Sequence, residues 1–189
     1  MYRPHGPADF ATPAPGCSLE VGRLAPPRGE RVVLSPGDMT AVAIIGALRR
    51  VDGLTKGRED WTGAPPAERW TRDVEGAGGE FAAARVLNLF WSGTVGTVTA
   101  PGDVGRIQVR QAHALDSGLI VRDADPPGAC YVLVVGMMPV YYVVGWLWGA
   151  DAPARGTRRA PHGRPAATFV PQAALEPLAT CPGGRAGRP

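Results

Sequence analysis

Lysine is nearly missing from this chain: Lys56 is the only one among 20 basic residues, so arginine carries the positive charge. Arginine stays protonated and favours bidentate contacts with phosphate and carboxylate, although a GC-rich coding sequence explains the bias without function. Cysteine is scarce, with Cys17, Cys130 and Cys181 far apart and in no C-x-x-C or Cys/His spacing, which argues against a structural zinc site. The three histidines, His5, His113 and His162, are scattered and leave Ser/His/Asp catalysis short of candidates. His113 lies in Gln111–Asp116 and reads as a surface residue between strands. There is no Walker-type loop, Rossmann fingerprint, G-x-S-x-G elbow or EF-hand, and no internal repeat. No basic-then-apolar signal pattern opens the chain, so the expectation is a reducing, cytoplasmic location. Charge is also modest: a net +3 permits nucleic-acid binding without demanding it.

What is present suits one domain with tails. Of 189 residues, 26 are glycine and 20 proline, the prolines concentrated toward the ends. That distribution predicts a flexible arm over 1–30, a domain over 31–178 and a flexible tail over 179–189. Asp151 to Pro165 reads as a solvated, arginine-bearing loop. From Cys130 to Ala150 runs a stretch of 21 residues without charge, long enough for a membrane span. Pro139 near its middle and the Val/Tyr-rich halves favour two strands, Tyr131 to Val135 and Val140 to Leu147, joined by a short turn. Trp146 and Trp148 share a face of the second strand and suit core and rim packing.

Other elements follow from local pattern. Ser35-Pro36-Gly37-Asp38 is a helix start, and Met39, Val42, Ile45 and Leu48 continue it at helical spacing to about Arg50. Lys56 to Asp73 reads as a loop, and a second helix is expected from about Val74 to Phe90. Strands follow at Val95 to Thr99, Ile107 to Arg110 and Leu119 to Arg122, then the apolar hairpin. An edge strand is expected at Thr168 to Val170, before a helical turn over Gln172 to Leu175. The order predicts an α+β fold with a mixed, mostly antiparallel sheet packed against two N-terminal helices.

Two acids attract attention. Glu80 lies beside Ala83, Ala84 and Leu87 on a helix whose small residues allow close approach to a sheet. A carboxylate at such a border requires a partner. Arg110 or a metal ion would serve; a surface contact with Arg85 is the alternative. Asp103 stands ahead of Gln108-Val109-Arg110, where strand alternation sends Gln108 and Arg110 to one face. Without further context, Asp103-Val-Gly also reads as a hairpin turn leading into a solvated strand face.

The succession of Gly76 to Leu87, Asp103 to Arg110, the Y-V-L-V strand from Tyr131 and Val144-Gly-Trp146 resembles the PD-(D/E)XK nuclease-like superfamily. It is similar in particular to uncharacterised proteins of that type from phages and prophages of GC-rich actinobacteria. The resemblance spans about Leu34 to Leu178 and implies a restriction-endonuclease-like core, located in the host cytoplasm where phage-encoded. It implies Asp103, Glu80 and Gln108 as ligands of Mg²⁺ or Mn²⁺, with Arg110 in the place of the usual lysine. The implied reaction is hydrolysis of a DNA phosphodiester, the metal activating water and neutralising the phosphate. Two departures stand out: Gln108 replaces an acid, and Arg110 cannot take up a proton. They suggest, as an alternative, a catalytically degenerate protein of this fold that binds nucleic acid or a protein partner.

Overall fold

The computed structural model describes residues 28–58, 65–96, 102–160 and 165–183. The Ser35 hydroxyl accepts the Asp38 N–H at 3.2 Å, and the Asp38 carboxylate accepts the Ser35 N–H at 2.9 Å. This reciprocal cap opens α1, Pro36–Thr55, which continues past the expected end at Arg50. Gly53 lies inside it, and its missing side chain leaves room for Arg50, whose Nη2 would lie 2.7 Å from a Cβ there. Arg50 is thereby buried and reaches Asp73 at 3.4 Å. Leu48, expected on the inner stripe, is instead 47% exposed; Met39, Val42 and Ile45 do pack inward.

The second helix, α2, spans Pro66–Leu87 and so replaces much of the loop expected up to Asp73. Pro65 precedes it without a side-chain cap, which removes the signal that would have marked its start. Asn88, in the left-handed conformation at φ 53°, ends it. The helices meet at Gly46, where a Cβ would stand 2.4 Å from the Val74 Cα. The strand expected over Val95 to Thr99 lies largely outside the described residues; Val95 and Gly96 are irregular.

The apolar run forms strands rather than a membrane helix. Among the described residues no helix is long and apolar enough to cross a membrane. β4 (Cys130–Met137) and β5 (Val140–Trp148) make the hairpin. β1 (Glu30–Val33), on residues expected to be arm or unassigned, pairs antiparallel with β5. On the other side β2 (Ile107–Ala112) joins β4 in parallel, giving the order β1-β5-β4-β2. A second, antiparallel sheet has β3 (Leu119–Arg122), β7 (Ala167–Val170) and β6 (Thr157–Arg159) in the order β3-β7-β6. The Thr168 to Val170 strand is thus central in its sheet, because the exposed Thr157-Arg-Arg segment pairs with it. The stretch expected to be a loop from Asp151 also includes a short helix, α3 (Ala152–Arg155).

Layering explains the uninterrupted apolarity of β4, buried from Cys130 through Gly136. On one face Val132 and Val134 join Val42, Ala83, Leu87 and Val109 beneath the two helices. On the other, Leu133 and Val135 join Leu119, Val121 and Val170 of the second sheet. The fold is therefore α+β, with two N-terminal helices on a mixed sheet. α2 lies close to it: a Cβ on Gly79 would stand 2.9 Å from Gln111, and one on Gly78 would overlap the Tyr141 hydroxyl.

Candidate functional site

Asp103 is held at the free edge of β2 by a tight turn. Val104 and Ile107 pair across it, and Gly105, at φ +61°, takes the left-handed conformation the reversal requires. The turn in the local reading is thus correct, but the strand face after it is not simply solvated, since Arg110 is half-buried against Tyr131 and Asp125. The turn folds the chain back so that the Asp103 N–H donates to the Ile107 carbonyl at 2.8 Å. The carboxylate Oδ2 accepts the Val109 N–H at 2.7 Å. Burial pushes the Asp103 pKa above the ordinary carboxylate value, and the Glu80 charge adds to that rise. The Val109 N–H, Arg110 and Arg49 oppose it without overcoming it.

This shift has a definite sign. A carboxyl whose folded pKa is raised binds its proton more tightly when folded, so its destabilising effect is absent below the unfolded pKa. The penalty develops as pH rises through the unfolded value of ~3.9 toward the raised folded one. Asp103→Asn preserves an acceptor for Val109 N–H and removes the charge. In chelator it is expected to melt above wild type at pH 7, the gap closing below about pH 4. A gap constant between those pH values would refute the assignment.

Glu80 has a partner that was not anticipated. It is 7% exposed, and Arg49 from α1 grips it through Nη1–Oε1 at 2.6 Å and Nη2–Oε2 at 2.8 Å. The Trp91 indole N–H adds a third hydrogen bond at 3.1 Å, and Arg49 Nε donates to the Thr94 carbonyl at 2.9 Å. Burial disfavours the Arg49 cation, but the Glu80 contacts outweigh it and raise its pKa, with further help from Asp103 and Asp73. Neither candidate partner, Arg110 or Arg85, pairs with Glu80: Arg85 reaches Asp38 at 3.1 Å.

Arg110 is committed on the opposite side of the sheet. It projects with Gln108 away from α2, as alternation predicts, and its guanidinium lies 4.9 Å from the centre of the Tyr131 ring. Asp125 pairs with it at 3.0 Å and accepts the Arg122 N–H at 2.8 Å, closing the turn after β3. Burial raises the Tyr131 pKa to about 12, with Asp125 contributing. The expected ligand set consequently divides. Glu80 lies on the helical side, where its charge is felt at Asp103, while Gln108 and Arg110 lie on the other.

A second buried acid escaped notice in the sequence. Glu75, 6% exposed, accepts the Tyr141 hydroxyl at 2.6 Å and the Met138 N–H at 3.1 Å, tying α2 to the β4–β5 turn. Burial, then the Glu75 hydrogen bond, pushes the Tyr141 pKa well upward. Tyr141→Phe is expected to destabilise the fold by about 1.5–3 kcal/mol, since it strips a buried carboxylate of a donor. Urea denaturation at pH 7 measures this; a loss under about 0.5 kcal/mol would mean water replaces the hydroxyl freely. The signal available was Glu75 and Glu80 five positions apart in a helix otherwise rich in glycine and alanine.

No group of three or more His, Cys, Asp or Glu among the described residues is arranged to hold a metal ion. What exists is Glu80, charge-balanced by Arg49, within electrostatic reach of a buried Asp103, whose carboxyl pKa is raised first by burial and then by the Glu80 charge. Two carboxylates suit Mg²⁺ when substrate phosphate and water supply the remaining oxygens. No family model, curated protein or solved structure matches the chain.

Proposed function

We propose that the chain is a nuclease-like protein whose Asp103 and Glu80 hold Mg²⁺ or Mn²⁺ for hydrolysis of a DNA phosphodiester. The observation that carries this reading is a buried Asp103, anchored on the Val109 N–H, within electrostatic reach of Glu80: burial raises its pKa and the Glu80 charge adds to the rise. A divalent cation between them would relieve that repulsion, and Arg49 now supplies the balancing charge at Glu80. When bound, the metal would neutralise the phosphate and lower the pKa of an attacking water. Asp103 keeps one oxygen anchored on Val109 N–H, which orients the other. Arg110 would add a positive field from across the strand, whereas Gln108, on the face away from α2, is left out of the ligand set. The resemblance to PD-(D/E)XK nucleases supports the same roles.

The experiment is a cleavage assay on duplex, single-stranded and branched DNA with Mg²⁺ or Mn²⁺, alongside metal calorimetry. Cleavage lost in Asp103→Asn and reduced in Glu80→Gln is the expected result. Absence of both cleavage and metal binding would overturn the proposal.

One observation favours a second reading, that the site is catalytically silent and the protein binds DNA or a protein partner. Both cations near Asp103 are already committed, Arg49 to Glu80 and Arg110 to Asp125. That reading predicts DNA affinity that falls with salt and survives Asp103→Asn.

A further inference from the structure

Cys130 and Cys181 lie far apart in sequence but together in the fold. Their sulfurs are 3.9 Å apart, and the residues are 3% and 5% exposed. Cys130 opens β4, fixed between its sheet partners Ile107 and Trp148. Cys181 follows a 3-10 turn, Leu178–Thr180, in the segment that closes over that end of the sheet. The Trp146 indole holds this segment by donating to the Pro177 carbonyl at 3.0 Å and the Thr180 hydroxyl at 3.2 Å. A Cβ on Gly183 would stand 3.9 Å from Ile107 Cδ1, so the segment reaches the base of the Asp103 turn.

We infer that Cys130 and Cys181 are an oxidisable dithiol that closes into an intrachain disulfide, fastening the C-terminal segment to β4. An S–S bond of ~2.05 Å requires the sulfurs to approach by roughly 2 Å, a displacement the two side chains share. Cys130 is set in a central strand, so the Cys181 segment moves. The hydrogen bond between the thiols lowers the Cys181 pKa and raises that of Cys130, which makes Cys181 the first to ionise. Opening of the segment exposes it to a low-molecular-weight disulfide. The Cys181 thiolate attacks one sulfur of that oxidant, breaking its S–S bond and expelling a thiolate that takes a proton from solvent. Cys130 then loses its proton to solvent, and its thiolate attacks the Cys181 sulfur of the mixed disulfide and expels the second half. The protein loses two hydrogens, and the oxidant is reduced to two thiols.

The test uses the full chain carrying Cys17→Ser, treated with oxidised glutathione under native conditions. The expected product is two hydrogens lighter, yields a Cys130–Cys181 linked peptide, reverts with dithiothreitol and melts roughly 5–10 °C higher. The same treatment of a further Cys181→Ala variant should leave its melting temperature unchanged. Two thiols still trappable after oxidation and unfolding, or only glutathione adducts and intermolecular dimers, would overturn the inference. The readouts on the two-cysteine protein stand even if the alanine variant does not fold.

Discussion

Arg49→Ala is expected to destabilise the fold by about 3–5 kcal/mol, because it leaves the buried Glu80 carboxylate without its cation. The loss exceeds that of an ordinary ion pair because Arg49 also ties Glu80 of α2 and the Thr94 carbonyl to α1. Adding Glu80→Gln should restore much of the stability, since the uncompensated charge rather than the missing contact dominates the cost. Urea midpoints at pH 7 for the two single variants and the double variant provide the cycle. A single-variant loss under about 1 kcal/mol would show that water reaches Glu80 and that the pair behaves as a surface one.

Gly46→Ala should destabilise although it improves helix propensity. The added methyl would meet the Val74 Cα at 2.4 Å, the Val74 nitrogen at 2.7 Å and the Asp73 carbonyl oxygen at 2.8 Å. These are all backbone atoms, so α1 and α2 must separate rather than adjust a side chain. Overpacking of about 1–3 kcal/mol is set against a propensity gain of about 1 kcal/mol. Gly46→Val adds branches to the same clash and should cost about 3 kcal/mol or more. Gly76→Ala is the control: its Cβ meets nothing within 4 Å, and it should stabilise by roughly 0.5–1 kcal/mol. Equal responses at the two glycines in thermal unfolding would contradict the helix–helix contact.

What could be read from the sequence was what residues state locally. The Ser35 cap, the Val/Tyr halves of the apolar run and the alternation of Gln108 and Arg110 each depend on near neighbours. The start of α2 was hidden because Pro65 supplies no capping side chain and the first turns are polar. β6 was hidden because Thr157, Arg158 and Arg159 are all exposed and carry no apolar alternation; only pairing with β7 makes them a strand. The site suffered from one boundary. An end of α1 near Arg50 puts Arg49 at the helix terminus, whereas the continued helix places it well inside, facing Glu80. The Arg110–Asp125 pair joins a strand to a turn beyond the next strand, a contact that spacing does not disclose.

The turn before β2 has a consequence for how the protein keeps to itself. β2 ends its sheet, and an end strand with free N–H and C=O groups invites a foreign strand to add on. Here Ile107 spends its outward amide and carbonyl on the turn, and the outward amide of Val109 is taken by the Asp103 carboxylate. Asp103 is therefore also a guard against edge-to-edge aggregation. Exchange of the single Val109 amide hydrogen with deuterium should report whether that guard is in place.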